Sequence, residues 1–213
     1  MKILSVSDQV DPRIYSEALK DRHSDVAFVL SCGDLPYGYL EYIISGLNRP
    51  LYYVHGNHDL YKRSNQEETR SLPLGGDNLH RKIYREHGLL LAGVEGSIRY
   101  NQKTRYQYTQ AEMWSHVLRL VPGLYYNKLV YGRFLDIFVT HAPPKGIHEG
   151  EDWTHQGIEA FRWLIDTFQP AYHFHGHIHI YRPDAIVETQ IGKTLVINTF
   201  EHRVTEIQID LDK

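Results

Sequence analysis

Five short clusters of metal-binding residue types are spread along the chain, and each one follows a run of apolar residues. The fullest is Gly-Asn-His-Asp at 56–59, in which an amide, an imidazole and a carboxylate follow a glycine that permits a sharp turn. Asp, Asn and His are the ligand types of hard or borderline divalent metals. The pattern therefore predicts one metal site assembled from the whole fold. The other four clusters are Ser7-Asp8, Gly33-Asp34, Thr140-His141-Ala142-Pro143-Pro144 and Gly176-His177-Ile178-His179.

The clusters fall where the sequence predicts that β-strands end. Apolar runs at 3–6, 26–30 and 51–54 predict three buried strands in the first part of the chain. Between the last two, apolar residues recur at i, i+3, i+4 and i+7 from Leu40, the spacing of an amphipathic helix. The order β-α-β-α-β implies parallel strands with right-handed crossovers. Because ligands of α/β sheets gather at the carboxyl ends of strands, the clusters should meet at one edge.

Further elements follow from capping signals and apolar spacing. Asp11 before Pro12 predicts the start of a helix. Thr109 and Glu112 form a capping-box pattern that predicts a second helix over 109–121, and another helix is predicted over 158–168. We expect a parallel first half and a more antiparallel second half, and surface loops at 61–77 and 97–108. Further strands are predicted at 89–94, 134–139, 171–174, 184–189, 193–197 and 204–209.

Composition limits the class of protein. The chain has 213 residues, of which 42% are hydrophobic and 23% charged, which predicts a single globular domain over 1–213. A net charge of -3 argues against a surface for long nucleic acids. Cys32 is the only cysteine, which fits a reducing compartment, and no apolar run approaches the roughly 20 residues of a membrane span. With a strand beginning at once, no signal peptide is expected. We expect a cytoplasmic protein without a membrane anchor, and its oligomeric state stays open.

Taken in order, the clusters resemble the motifs of the calcineurin-like metallophosphoesterases, from Met1 to about Phe200. The tetrapeptide at 56–59 and the Gly-His-x-His at 176–179 are the specific parts of this resemblance. It implies a four-layer α-β-β-α sandwich with two mixed sheets, and a site for two metal ions. The implied ligands are Asp34 between the ions, Asp8 and His179 on one ion, and Asn57, His141 and His177 on the other.

The resemblance also implies a reaction. A small phosphate mono- or diester would be hydrolysed by attack of a metal-bound hydroxide. His58 matches the family's catalytic histidine, which lies outside the metal shell and helps to protonate the leaving oxygen. Asp59 is a candidate to hold the ring of His58. Arg99 and Tyr100 are candidates for contact with the substrate, since Arg suits phosphate, although a solvated loop is the simpler interpretation there.

One residue departs from the family pattern. The family usually has Asp-x-His at its first motif, but here the third position is Val10, which cannot bind metal. Purple acid phosphatases, a branch of the same superfamily, also lack this histidine and carry a ferric-iron-binding tyrosine in Gly-Asp-x-x-Tyr. Tyr37 occupies that position here. We therefore predict that Tyr37 replaces the missing ligand, with Asp11 as a rival, and that the metals are iron and/or manganese, with zinc as an alternative.

Two other functions remain open at this level. Val10 favours a catalytically degenerate binding or scaffold protein, whereas His58 argues for an enzyme. A nuclease or cyclic-nucleotide phosphodiesterase is the second alternative, because small cyclic nucleotides need no basic surface. His173 and His175 alternate with His177 and His179, and we expect the first two to support the site or fill the core.

Overall fold

The structure is a computed structural model that describes residues 1–59, 72–101, 105–182 and 184–209. Within these ranges the helices are α1 (Leu19–His23), α2 (Tyr37–Leu47), α3 (Gln110–Leu118), α4 (Val121–Tyr131) and α5 (Glu159–Phe168), with a 3₁₀ turn at Trp153–His155. The strands are β1 (Lys2–Ser7), β2 (Val26–Ser31), β3 (Leu51–Tyr53), β4 (Gly76–Asn78), β5 (Ile83–Glu86), β6 (Leu89–Val94), β7 (Ser97–Ile98), β8 (Gln107–Tyr108), β9 (Ile137–Thr140), β10 (Tyr172–His175), β11 (Glu188–Ile191), β12 (Thr194–Asn198) and β13 (Glu201–Glu206).

Two mixed sheets carry the fold. The first has the order β13-β1-β2-β3-β4, with β1 to β4 parallel and β13 antiparallel to β1. The second has the order β11-β12-β10-β9-β6-β5, in which β12, β10, β9 and β6 are parallel and the two edge strands are antiparallel. The prediction of a more antiparallel second half is confirmed in part, because β11 and β13 run antiparallel to their neighbours whereas β9, β10 and β12 run parallel. Helix α5 connects β9 to β10, a crossover that parallel neighbours require.

Apolar side chains divide the molecule into four layers. Phe28 of the first sheet and Phe174 of the second are fully buried in one cluster between the sheets. Leu4 packs with Ile43 of α2 on the outer side of the first sheet, and Phe161 of α5 belongs to the cluster that covers the second. Each fully buried side chain of this size stabilises the fold by roughly 1.5–3 kcal/mol. The predicted α-β-β-α sandwich is confirmed.

Local differences from the predicted elements have identifiable causes. The side chain of Asp11 accepts a hydrogen bond from the backbone amide of Arg13 at 2.8 Å, so a turn forms where a helix start was predicted. The capping box of Thr109 and Glu112 is present. The helix it begins ends at Leu118, because Pro122 in the first turn of α4 cannot continue the α3 hydrogen bonds.

Two predicted loops contain short strands. Residues 97–108 include the parallel pair β7 and β8, and residues 61–77 end in β4. Most of the second segment, 61–71, lies outside the described residues. The prediction of a surface loop over these residues therefore stays a prediction.

Asp11 should make the stability of the protein depend on acid pH. Burial alone would raise the pKa of its 2%-exposed carboxyl, but hydrogen bonds from Arg13 and His202 lower that pKa to about 2. The carboxylate thus contributes stability that is fully present above the unfolded pKa near 4 and is lost as pH falls towards 2. We expect Asp11→Asn to lower the free energy of unfolding by about 1–2 kcal/mol at pH 7, and by about half as much at pH 3.

Urea denaturation at the two pH values measures this difference. Glu201→Gln is the matched control, because Glu201 contacts the same arginine at 3.2 Å but its side chain is 34% exposed. That control should change stability by no more than about 0.5 kcal/mol. Equal destabilisation by Asp11→Asn at pH 7 and pH 3 would contradict the assignment.

Candidate metal centre

The predicted ligands lie just beyond the carboxyl ends of parallel strands from both sheets. Asp8, Asp34 and Asn57 follow β1, β2 and β3 of the first sheet. His141 and His177 follow β9 and β10 of the second. The sandwich therefore brings together residues that are far apart in sequence, as strand-end sites in α/β folds require.

The backbone at this edge is unusually constrained. Asp8, Asp34 and His177 have φ angles of 66°, 59° and 67°, in the left-handed region that non-glycine residues seldom adopt. Such positions cost of order 1–3 kcal/mol each and cluster at functional sites. Gly56 has no room for a side chain, since a Cβ there would collide with the carboxylate of Asp34. Gly176 is confined in the same way by Asp8.

Asp8, Asp34 and His141 form the centre of the cluster. One ligand atom from each lies within 4.8 Å of the other two. The side chains of Asp8 and His141 are fully buried, and Asp34 Oδ2 lies 3.4 Å from His141 Nε2. Burial raises the pKa of Asp8, and the neighbouring Asp34 raises it further. Two buried carboxylates this close need a cation between or beside them.

Hydrogen bonds aim the histidine lone pairs at the same point. His141 Nδ1 donates to the carbonyl of Cys32 at 2.7 Å, and His177 Nε2 donates to the carbonyl of Thr154 at 2.8 Å. In the neutral form of both rings, which metal binding requires, His141 Nε2 and His177 Nδ1 carry lone pairs, and these two atoms lie 3.2 Å apart. Asn57 Oδ1 lies 2.9 Å from His141 Nε2 and adds a third acceptor.

This donor set fits a metal ion. Carboxylate, imidazole and amide groups converge, and a ring nitrogen held by an outer hydrogen bond is the usual arrangement of metal-binding histidines. Burial alone would lower the pKa of His141, but Asp34, Asp8 and the Cys32 carbonyl raise it to about 9. Without metal, the acceptors around His141 thus favour a positive charge on its ring. The same acceptors would favour a metal cation at that position.

His179 approaches the cluster from its outer side. Its side chain is 44% exposed, and its Nε2 lies 3.9 Å from Asp8 Oδ1. Its Nδ1 donates to the hydroxyl of Tyr181 at 2.8 Å, which leaves Nε2 directed at Asp8. Val10 packs against an apolar cluster instead and adds no ligand.

Tyr37 is placed among a different group of residues. Its ring lies 6.4 Å from that of His55, and its pKa is raised by burial, by Asp59 and by the nearby Tyr106. A raised pKa disfavours a phenolate in the protein without metal. That Tyr37 replaces the missing histidine stays a prediction. Asp11, the rival, is engaged by Arg13 and His202.

Asp59 does not hold the ring of His58, contrary to our expectation. Its carboxylate accepts hydrogen bonds from the backbone amides of Gly56 at 2.8 Å and Leu35 at 3.1 Å. The short turn at 56–59 directs this side chain back towards the backbone rather than towards the histidine. Asp59 therefore fastens the Asn57 loop to the Asp34 loop, which is a structural contribution to the site.

Tyr100 makes the contact that was expected of Asp59. The exposed ring of His58 has its Nε2 3.4 Å from the Tyr100 hydroxyl, and that hydroxyl accepts a hydrogen bond from Asn57 Nδ2 at 3.1 Å. The backbone amide of His58 donates to Asp34 Oδ1 at 2.6 Å. His58 is thus tied to the cluster at two points, and Tyr100 was predicted as a substrate contact rather than as this link.

Arg99 is committed elsewhere. Its guanidinium binds both carboxylate oxygens of Glu112, at 3.0 and 2.8 Å, beside the start of α3. The predicted contact with a substrate phosphate does not fit this arrangement. Thr154 and Tyr181 were not predicted. Tyr181 could have been inferred from its place two residues after His179, whereas Thr154 acts through its backbone and leaves no sequence signal.

The sandwich and the cluster at its strand ends define an α/β protein with a candidate metal site. A family model described as calcineurin-like phosphoesterase matches residues 1–181, and the chain belongs to that family. The resemblance seen in the sequence is therefore confirmed. Membership supports a metal-dependent hydrolase that acts on phosphoesters.

Solved structures share the fold at low sequence identity. The protein TT1561 of Thermus thermophilus is 19% identical with a TM-score of 0.62, covering 94% of this chain and 89% of that one. A phosphopantetheinyl hydrolase from Mycobacterium tuberculosis is 12% identical with a TM-score of 0.52, covering 93% and 88% of the two chains. At such identities the similarity shows the fold alone. No curated protein matches the sequence significantly.

Within the described ranges, no helix combines the length and the apolar character needed to span a membrane.

Proposed function

We propose that this protein is a dinuclear metal-dependent phosphoesterase that hydrolyses small phosphate mono- or diesters. The observation that supports it most is the convergence of Asn57 Oδ1, His177 Nδ1 and Asp34 Oδ2 on His141 Nε2, at 2.9, 3.2 and 3.4 Å. Buried acceptors arranged in this way suit a cation. The exposed His58 lies next to them, outside the cluster.

The ligands divide into two groups around Asp34. Asn57, His141 and His177 would hold one ion, and Asp8 and His179 would hold the other, with Asp34 shared. Metals bound there would polarise phosphoryl oxygens and lower the pKa of a water molecule near the phosphorus. The second group has fewer protein ligands, because Val10 stands where the family usually has histidine.

His58 would supply the proton that the leaving oxygen needs. Its backbone amide is fixed on Asp34, its ring is exposed, and Tyr100 restrains Nε2. A histidine beside the metals but not bound to them can act as a general acid. Tyr100 would hold the ring of His58 and the side-chain amide of Asn57 in fixed orientations. The proposed acid and the proposed metal ligand would then keep a constant relative position.

The proposed metals are iron and/or manganese, with zinc as the alternative. Asp, Asn and His donors accept all three. Tyr37 stays the proposed replacement for the missing histidine, and the argument for ferric iron depends on a phenolate that burial alone disfavours. The remaining case for iron rests on the mixed oxygen and nitrogen donors.

Turnover with defined metals tests the proposed function. The protein would be prepared metal-free, reloaded with manganese, iron or zinc, and assayed with bis-p-nitrophenyl phosphate and p-nitrophenyl phosphate. We expect hydrolysis that requires added metal, and the ratio of the two rates assigns the ester class. A protein that binds metal fully but hydrolyses neither ester would favour the scaffold alternative, which Val10 supports.

A further inference from the structure

The 3₁₀ turn at Trp153–His155 forms one wall beside the candidate metal centre. The carbonyl of Thr154 accepts the hydrogen bond from His177 Nε2, and the ring of His155 lies 5.1 Å from that of His177. Trp153 is therefore adjacent in sequence to a residue in direct contact with a proposed ligand. The contact of this turn with His177 comes from the backbone carbonyl of Thr154. The proposed metal site assigns no role to the indole of Trp153.

The indole of Trp153 is fixed yet open to solvent. Its Nε1 donates to the carbonyl of Arg99 at 3.2 Å, and Arg99 precedes Tyr100, which touches His58. The side chain of Trp153 nevertheless remains 59% exposed. The exposed ring therefore offers a ligand at the neighbouring polar centre a planar apolar surface that is already held in one orientation.

Hydrogen bonds hold the turn that carries Trp153. The side chain of Asp152 accepts hydrogen bonds from the backbone amides of Thr154 at 2.9 Å and His155 at 3.1 Å. One hydrogen bond thus holds the indole of Trp153, and two more hold the backbone of the two residues that follow it. A ring held in advance loses little conformational freedom when a ligand stacks on it.

We propose that Trp153 stacks on a planar aromatic group of the substrate, so that this site prefers phosphoesters of aryl or nucleoside alcohols over those of aliphatic alcohols. The inference rests on the proposed function, since it places the phosphate at the metals and the ring on Trp153. Offset stacking on an indole is favourable for any planar ring, which fits both aryl groups and nucleobases. The same wall offers an aliphatic chain only the hydrophobic part of this contact.

Paired substrates separate aromatic recognition from leaving-group reactivity. Benzyl phosphate and cyclohexylmethyl phosphate have closely similar leaving alcohols and differ in the planar ring, and their methyl diesters serve if the protein prefers diesters. We expect the wild-type kcat/KM to be higher for the benzyl ester than for the cyclohexylmethyl ester. Trp153→Ala should lower the ratio of these two values by about tenfold. Trp153→Phe should keep part of it. Trp114→Phe, at a tryptophan that packs on Trp163 at 5.3 Å, is the control.

A binding measurement separates failure of this inference from failure of the proposed function. Calorimetry of the metal-loaded protein with benzylphosphonate, cyclohexylmethylphosphonate and adenosine 5′-monophosphate needs no turnover. Aromatic preference that Trp153→Ala removes would support the inference even if no ester is hydrolysed, and tighter binding of the nucleotide than of benzylphosphonate would identify a nucleobase as the ring. Equal affinity for the two phosphonates, no binding of either, or a preference that survives Trp153→Ala would overturn it.

Discussion

Replacing Asp34 by Asn is expected to remove bound metal and, with it, hydrolysis. The substitution keeps the shape and an acceptor oxygen for the amide of His58, but it removes the charge that faces His141 at 3.4 Å. Loss of an outer partner of a metal ligand already costs 10–100-fold in affinity or activity. Loss of the shared ligand itself should therefore cost more than about 100-fold in both. Elemental analysis after dialysis and the rate of ester hydrolysis measure the two effects.

The stability of the metal-free variant distinguishes loss of a ligand from loss of the fold. The charge of Asp34 raises the pKa of the buried Asp8, a sign that the two carboxylates repel each other. The same charge attracts His141, and the pKa of Asp34 is lowered overall, so its loss removes a favourable buried pair. Asp34→Asn without metal should therefore still unfold cooperatively, at a temperature somewhat below that of the metal-free wild type. Asp25→Asn, at an exposed surface ion pair with Lys2, is the matched control and should keep metal and activity. Full metal content in Asp34→Asn would refute the role given to Asp34.

Replacing His58 by Asn is expected to lower kcat by about 10²–10⁴-fold while metal content stays unchanged. The ring of His58 is exposed and lies outside the acceptor cluster, so its removal leaves the proposed ligands in place. The loss should be larger for an alkyl ester than for a p-nitrophenyl ester, because a poor leaving group depends more on the proton that His58 provides. Steady-state kinetics on both esters measures this difference.

Two further variants test whether the effect belongs to this histidine. His87→Asn changes a half-exposed histidine beside Glu86 and should leave kcat unaltered. Tyr100→Phe removes the hydroxyl that restrains His58 and Asn57, and about tenfold of activity should be lost. An identical loss on both esters in His58→Asn, or loss of metal, would show that His58 does not act as the acid.

The sequence predicted the layers of the fold better than its connections. Periodicity marked α2 and α5, and capping signals marked the start of α3, because these features are local. The break at Pro122 and the helix α4 were missed, since α4 has exposed apolar residues such as Leu129 and no clean apolar face. The direction of the strands β9, β10 and β12 depends on crossovers, which local spacing does not determine.

In the candidate site, too, some features were predicted from the sequence and others were not. Residue types and their order predicted Asp8, Asp34, Asn57, His141 and His177, and the structure brings them together. The supporting contacts were harder to predict, because they depend on where a loop points. The carboxylate of Asp59 turns to backbone amides, and Arg99 turns to Glu112. Tyr37 matched a motif in spacing, but α2 carries its ring towards His55.

The proposed ligands come from both sheets, which gives the metals a second consequence. Asp8 and Asp34 belong to the loops of the first sheet, and His141 and His177 belong to those of the second. An ion bound by all four would cross-link the loops of the two sheets. It would join chain segments that are more than 160 residues apart in sequence. A ligand that binds only the folded form raises the free energy of unfolding, and the increase grows with the ligand's concentration and affinity. The metal concentration would therefore set how strongly the two sheets stay associated. Through that stability it would also affect the lifetime of the protein in a cell.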